Sequence, residues 1–307
     1  MELRALKYLV SLFECGSFTA AARAHHITQP AISIQLRKLQ EELGVVLFEV
    51  RGRVTTFTSA GRIVLTYAMN FVNLERELFR EIEDLSGLRK GSVALGTIDA
   101  ASIYVLPGVF ATFQRLYPGI DVHLEIASTA VLCKGLLSGR LDLVVGTVPV
   151  DGDVDFDLFP VFEEKLVLIG PPGHPLTRSR TVSGAALSRY PFISFHKESI
   201  TRHIVERTLL RKGITLQIKM EMDSPEAIKK LVASGLGLSV LPLQIVRDEI
   251  ENGSVSLIRI RGTTFERKLG LFVRKGSYLP ATVRAFLGVM SEELGIALPE
   301  RLTSRRS

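Results

Sequence analysis

Apolar residues at helical spacing predict two short helices near the start of the chain, separated by a tight break. The first helix is alanine-rich and covers residues 20–24, and the break falls at residues 25–27. Thr28 can cap the second helix, and Gly44 follows its last apolar position and ends it. The second helix has one apolar stripe at intervals of four, three and four residues, formed by Ile32, Leu36, Leu39 and Leu43. This stripe predicts a helix that buries one face and leaves the other in solvent.

The solvent face of the second helix has the chemistry of a surface that reads DNA. Gln29 near the helix N-terminus can pair with adenine in the major groove, and Ala31 is small enough to contact a thymine methyl group. Arg37 and Lys38 point where backbone phosphates would lie. An ordinary polar helix face is the alternative, but the compact first helix and the short turn favour a helix-turn-helix. The candidate DNA-binding residues of this helix are Thr28, Gln29, Pro30, Ala31, Ser33, Ile34, Arg37 and Lys38.

Four segments of this N-terminal region resemble the signature of LysR-type transcriptional regulators. Their order and spacing match that signature without a gap, and they cover residues 17–22, 28–33, 39–48 and 57–61. Two positions depart from it: Val50 stands where the family often has an arginine, and Ile34 where a polar or basic residue is common. Both departures bear on which operator sequence the protein would recognise and not on its resemblance to the family. The resemblance implies a winged helix-turn-helix, a dimerising linker helix and an effector domain of two lobes.

Two short extended segments around Gly52 predict a β-hairpin, which would be the wing. Arg51 and Arg53 flank the glycine and are candidates for contacts with backbone phosphates or the minor groove. A solvated surface hairpin is the alternative. The position of the hairpin beside the recognition helix favours the DNA-binding interpretation.

A long amphipathic helix is predicted next, from residue 60 to about residue 86. Charged residues crowd its other faces, so the apolar stripe needs a partner. A second copy of the chain is the favoured partner, and packing on its own effector domain is the alternative. The stripe has nearly the spacing of a two-stranded helical seam and consists of Ile63, Tyr67, Phe71, Leu74, Leu78, Ile82 and Leu85.

From residue 92 strands alternate with helices, which predicts two α/β lobes built on mainly parallel sheets. The first lobe includes a single helix over residues 103–117. The chain then returns through residues 267–273, so that the last helix packs on the first lobe. Two lobes with a double crossing resemble periplasmic binding proteins, and such lobes bind ligands where strands end and helices begin.

Strand-to-helix junctions place hydroxyls and backbone amides at this predicted cleft. For any one of these residues helix capping is the simpler explanation, but converging helix N-termini favour a small carboxylate or similar anion. His196 and Lys197 are the only candidates for a cationic contact. The candidate effector-binding residues are Thr97, Asp99, Ala100, Ser102, Ser128, Thr129, Thr147, His196, Lys197, Ser199, Asp223 and Ser224.

The expected fold is therefore α/β with an N-terminal all-α winged helix-turn-helix domain and a two-lobed effector domain similar to periplasmic binding proteins. The expected partners are double-stranded DNA with an interrupted palindrome, a small effector of anionic character, and a second copy of the chain. The resemblance adds a tetramer and RNA polymerase. The expected divisions are the winged helix-turn-helix at residues 1–58, the linker helix and hinge at 59–90, lobe I at 91–161 with 267–298, lobe II at 162–266, and a solvated tail at 299–307.

Composition adds few constraints. The 307 residues are 46% hydrophobic, which suits two or three domains with their own cores, and the net charge of +6 favours an anionic partner only weakly. The two cysteines, Cys15 and Cys133, have no metal-ligand spacing and are expected to be buried thiols in a reducing cytoplasm. The sequence has no run of eighteen apolar residues, so it predicts no membrane-spanning helix.

No catalytic constellation or cofactor motif stands out, because the chain has no glycine-rich phosphate loop and no nucleophile elbow. A ligand-binding or enzymatic α/β protein with a helical N-terminal appendage is the alternative class. Such a protein would have no salt-dependent affinity for DNA.

Overall fold

A computed structural model describes residues 2–51, 54–84, 90–149 and 156–303. Its α-helices are α1 Leu3–Cys15, α2 Phe18–Ala24, α3 Gln29–Leu43, α4 Ser59–Asp84, α5 Asp99–Tyr104, α6 Pro107–Leu116, α7 Thr129–Leu137, α8 Ile200–Leu210, α9 Pro225–Ala233, α10 Leu243–Glu251, α11 Ala281–Leu294 and α12 Glu300–Thr303. Its strands are β1 Phe48–Arg51, β2 Val54–Phe57, β3 Gly91–Thr97, β4 Ile120–Ile126, β5 Leu143–Thr147, β6 Phe156–Gly170, β7 Pro191–Ser194, β8 Gln217–Glu221, β9 Ser239–Pro242, β10 Ser256–Ile258 and β11 Phe265–Arg274.

Side-chain caps define the two helices of the helix-turn-helix. The Ser17 hydroxyl accepts a hydrogen bond from the Ala20 N–H at 3.2 Å, and the Thr28 hydroxyl accepts one from the Ala31 N–H at 3.4 Å. Ala21 of α2 is fully buried, and its small side chain lets α2 pack closely against both α1 and α3. The expected stripe on α3 is buried except for its last member. Leu43 is exposed because α3 ends there and the chain turns away at Gly44, which has a left-handed φ of 67°.

The wing is anchored to the start of α4 by a backbone contact that only glycine permits. Strands β1 and β2 pair antiparallel, with Phe48 opposite Phe57. The Thr58 hydroxyl accepts a hydrogen bond from the Gly61 N–H at 2.9 Å, which caps the first turn of α4. A Cβ at Gly61 would lie 1.8 Å from the Leu47 carbonyl oxygen, so any side chain there would displace the segment before β1.

The effector region is built on one seven-stranded sheet in the order β10-β6-β11-β5-β3-β4, with β9 also paired to β6. In this sheet β3 is parallel to both of its neighbours, β4 and β5. The other pairs of the sheet are antiparallel. The expectation of mainly parallel sheets is therefore wrong. The returning strand β11 lies between β5 and β6 and is antiparallel to both, which makes the sheet mixed.

Two long paired strands connect the lobes. Strand β6 has 15 residues and β11 has 10, and the register between them shifts at Leu269/Gly270. The expected lobe boundary after residue 161 thus falls inside a continuous strand. Separate buried clusters lie on either side of this crossing, one around Phe113 and Phe286, and others around Phe192 and Ile228.

Three local expectations are wrong. The single helix over residues 103–117 is two helices, because Pro107 starts a new one after the break at Leu106. Residues 300–303 are not a solvated tail but form α12, whose Leu302 is buried in the lobe I core. Cys15 is exposed rather than buried, because it is the last residue of α1 and lies outside the stripe that faces the core.

The two thiols should react at very different rates with an alkylating reagent. Burial raises the pKa of the Cys133 thiol to about 11, while Cys15 is exposed. At pH 8 we therefore expect iodoacetamide to label Cys15 about 10²-fold faster than Cys133, since the thiolate is the reactive form. Mass spectrometry of native protein over time measures both rates, and the Cys15→Ser variant isolates the slow one. Equal rates would contradict the partial burial of Cys133.

Candidate nucleic-acid interface and effector cleft

The outer face of α3 is open to solvent along its length. Gln29 is the first residue of the helix, and Gln29, Arg37 and Lys38 are all exposed. Thr28, Pro30 and Ile34 are exposed too, while Ala31 and Ser33 are half-buried. The structure thus brings together on one face all the residues that the sequence proposed for reading DNA on this helix.

The wing lies next to this helix in the chain and carries the second set of candidate residues. The backbone of Arg51 belongs to β1. The Arg51 side chain and the whole of Arg53 lie outside the described residues. Their proposed contacts with DNA therefore remain expectations from the sequence.

Helix α4 has three distinct faces. One apolar face, which includes Leu65, Ala68 and Val72, is buried against the helix-turn-helix domain. The predicted stripe is exposed: Tyr67 and Leu74 are 63% and 64% exposed. Leu85 lies outside the described residues. The other exposed members of the stripe are Ile63, Phe71, Leu78 and Ile82, and the exposed Phe79 lies beside them.

The third face of α4 is polar and packs on lobe I. The Asn73 side-chain amide donates to the Leu137 carbonyl at 2.8 Å, and Arg80 forms an ion pair with Asp142. Near its end, Asp84 accepts a hydrogen bond from the Tyr278 hydroxyl at 2.5 Å. Helix α4 therefore does pack on its own effector domain, but through its polar face. The apolar stripe stays exposed to solvent.

A cleft of about 270 Å³ lies between the two lobes, at the N-termini of α5, α7, α8 and α9. Most of the candidate effector-binding residues line it. Their hydroxyl, carboxylate and backbone groups come from both lobes. These lining candidates are Asp99, Ala100, Ser128, Thr129, Thr147, Ser199, Asp223 and Ser224.

Four candidates do not line the cleft. Thr97 is fully buried beneath it and its hydroxyl donates to the Val145 carbonyl at 3.1 Å. The Ser102 hydroxyl faces its own helix and donates to the Asp99 carbonyl at 2.7 Å. His196 and Lys197 are exposed in the loop after β7, outside the lining. The expectation that they are the only possible cationic contacts is wrong, because an arginine from another strand lines the cleft.

That arginine is Arg267 on β11, whose side chain is 3% exposed. Its Nε donates to Glu164 on the neighbouring strand at 2.6 Å, and its Nη1 donates to the Thr201 hydroxyl at 2.7 Å. Its Nη2 is buried and has no hydrogen-bond partner among the described residues. The sequence did contain a signal: Arg267 has the same strand phase as the buried Phe265 and Leu269, an unusual position for a charge.

Strand alternation directs this guanidinium towards the cleft. A second cavity of about 360 Å³ is lined by Arg267 together with its two neighbours, Glu266 and Lys268. Side chains of successive strand residues point to opposite faces. Thr201, which accepts from Arg267, lines the cleft and not the second cavity. Lys268 in the second cavity is exposed and already paired with Glu163 at 2.9 Å.

The lobes also touch through α5 and α9. Burial raises the pKa of Asp99, and a hydrogen bond from the Ser224 hydroxyl across the cleft opposes that rise. Farther along, the Tyr104 hydroxyl of α5 donates to Glu226 of α9. Burial and this carboxylate raise the pKa of Tyr104 to about 12. Both contacts depend on the relative position of the two lobes.

The described residues contain no candidate for a membrane span or a metal site. None of their helices combines the length and apolar character needed to cross a bilayer. They also contain no group of three or more histidine, cysteine or carboxylate side chains placed to hold a metal ion.

Family models match both parts of the chain. The bacterial regulatory helix-turn-helix protein, lysR family, matches residues 3–62, and the LysR substrate binding domain matches residues 86–295. A probable RuBisCO transcriptional regulator from Synechocystis is 32% identical over 93% of this chain and 84% of its own length. The RuBisCO operon transcriptional regulator of Allochromatium vinosum is 33% identical over 93% of this chain and 94% of its own length. By name these relatives are regulators and not enzymes.

Solved structures show the same architecture. A full-length OxyR variant from Pseudomonas aeruginosa superposes with a TM-score of 0.64 at 24% identity, covering 96% of this chain and 94% of that one. The regulatory domain of Synechocystis CcmR, in complex with 2-PG, gives a TM-score of 0.60 at 26% identity, covering 66% of this chain and 98% of that one. The chain belongs to the LysR family and is a DNA-binding transcriptional regulator with an N-terminal helix-turn-helix domain and a two-lobed effector-binding domain.

Proposed function

We propose that the regulator binds an interrupted palindrome as a dimer formed through α4. The two-fold symmetry of such a dimer requires matching half-sites, and each α3 lies in a major groove. In this arrangement Gln29 and Ala31 contact base edges, while Arg37 and Lys38 contact phosphates. The observation that carries this proposal is the exposure of the whole outer face of α3 beside the exposed α4 stripe.

The proposed effector is a small molecule with an acidic group, bound in the cleft between the lobes. Four helix N-termini and several hydroxyls face this cavity, and helix N-termini favour anions. A ligand that prefers one arrangement of the lobes shifts the population towards it. Because the polar face of α4 is bonded to lobe I, such a shift would change the spacing of the two DNA-binding domains in a dimer.

Three further parts of the proposal rest on the family resemblance. The dimers associate into a tetramer on DNA, the regulator contacts RNA polymerase, and the protein acts in the cytoplasm where its DNA is. Analytical ultracentrifugation of the protein with its operator tests the first of these.

The experiment that tests the function is a gel-shift assay with DNA from upstream of the protein's own gene. We expect a specific complex that survives excess random DNA, weakens with salt, and changes in mobility or affinity with small acidic metabolites. Binding that does not distinguish this DNA from random DNA would contradict the proposal.

The wing arginines should contribute affinity without specificity. Replacing Arg51 or Arg53 with alanine is expected to weaken binding to every duplex by a similar factor. Each replacement should also reduce the slope of log K against log salt by about one unit, because one phosphate contact is lost. Fluorescence anisotropy between 50 and 200 mM salt, the range over which such losses are large, measures the slope. An unchanged slope would place the wing away from DNA.

A further inference from the structure

The cleft has two walls of opposite chemistry. On one wall, the buried Arg267 stands beside the Thr201 hydroxyl and has a free Nη2–H group. On another, the Ser224 hydroxyl donates to Asp99, and Asp223 precedes Ser224 in the chain. All of these residues line the cavity. Glu164, which forms an ion pair with Arg267, does not.

The basic wall has capacity for one acidic group. Arg267 is already neutralised by Glu164, which lies directly opposite it on β6. What remains is an unsatisfied buried donor, which is costly to leave unpaired, together with hydroxyls and the N-termini of α7 and α8. A single carboxylate satisfies these donors. A second negative charge in the same small cavity finds no further buried cation among the lining residues.

The acidic wall selects for hydrogen-bond donors. Ionised carboxylates only accept hydrogen bonds. The Asp223 side chain is 78% exposed, and the His196 Nε2 lies 3.9 Å from its Oδ2. Asp99 is partly buried, and its one described side-chain donor is the Ser224 hydroxyl. A ligand hydroxyl or ammonium group would satisfy these oxygens, whereas a ligand carboxylate would be repelled by them.

We infer that the effector has one acidic group together with one or more hydroxyl or ammonium donors, as in a hydroxy- or amino-carboxylic acid, and that dianions without donors are excluded. This inference rests on the proposed function of the cleft. The volume of about 270 Å³ lies just below the usual range for pockets that hold drug-sized ligands, which suits a small metabolite of this class. Arg267 binds the acidic group, and Asp99 determines the preference for donors.

Isothermal titration calorimetry of the full-length protein tests this inference with matched probes. The panel contains shikimate, serine and glycerate as acids with donors, cyclohexanecarboxylate and propionate as acids without donors, and malonate and succinate as dianions without donors. We expect at least one acid with donors to bind at least tenfold more tightly than its donor-free counterpart and than both dianions. Tighter binding of a dianion, equal binding of the donor-free acids, or no binding by any acid with donors would overturn the inference.

Substitutions in each wall test the roles of Asp99 and Arg267 in ligand binding. Asp99→Asn is expected to reduce the preference for donors at least tenfold and to admit dianions. The double variant Glu164→Gln with Arg267→Gln keeps the buried pair neutral, and it should lose binding of all acids. Lys268→Gln on the opposite face of β11 is the matched control and should bind as the unmodified chain does. Acid binding that survives in the double variant would contradict the role of Arg267.

DNA binding separates the two proposals. If the panel fails while the protein still binds its upstream DNA specifically, the ligand class is wrong and the regulatory function stands. If acids with donors bind but no DNA does, the cleft chemistry stands and the regulatory proposal fails.

Discussion

Replacing Leu74 with glutamate is expected to leave the protein monomeric and to reduce its affinity for a two-half-site operator by about 10²–10⁴-fold. Leu74 lies in the middle of the exposed stripe on α4, and 64% of its surface is open in the single chain. Each large apolar side chain that a dimer buries contributes about 1.5–3 kcal/mol. A glutamate in the seam removes that contribution and buries an unpaired charge close to its symmetry mate.

Light scattering coupled to size-exclusion chromatography measures the mass, and anisotropy measures the affinity. The matched control is Leu236→Glu, the same substitution at an exposed leucine in lobe II, for which we expect no change in mass. A Leu74→Glu protein that stays dimeric would show that α4 is not the dimer seam. Circular dichroism spectra of both variants should match that of the unmodified protein, since both side chains are exposed.

Replacing Gln29 with alanine is expected to cost about 1–3 kcal/mol on the cognate site and little on random DNA. The reason is that a bidentate contact with adenine discriminates between bases, whereas phosphate contacts do not. Gln29 is exposed at the start of α3, so its removal leaves the fold intact. Dissociation constants on both duplexes at one fixed salt concentration measure the difference.

Arg37→Ala provides the contrast on the same helix. Because Arg37 is expected to contact phosphate, its loss should weaken both complexes by a similar factor and reduce the salt slope by about one unit. If Gln29→Ala also weakened both complexes equally, this result would contradict a contact of Gln29 with base edges. If Arg37→Ala affected only the cognate site, the assignment of the two residues would be reversed.

The features that the sequence predicted well depend on neighbours in the chain. The caps at Thr28 and Gly44 and the stripe on α3 follow from side-chain chemistry within a few residues, and α4 follows from one long periodic pattern. Helix α9 also begins at a hydroxyl cap, Ser224, as the sequence predicted. In these segments local preference and tertiary packing agree.

The features that the sequence did not predict depend on distant pairing. Strand β6 is interrupted in sequence by Pro160 and by the carboxylates at 163 and 164, so its continuity through both lobes becomes visible only beside β11. Arg267 was missed because its partner Glu164 is 103 residues away, and an isolated arginine normally indicates a surface position. The exposure of Cys15 depends in the same way on which face of α1 the other helices cover.

Hydroxyl-radical footprinting of the protein on its upstream DNA determines whether α3 lies in a DNA groove and whether a symmetric pair of chains places it there. We expect two protected half-sites related by two-fold symmetry, with centres separated by about 10 base pairs or a multiple of that distance. A single protected half-site, uniform protection, or no protection even at low salt would contradict this expectation.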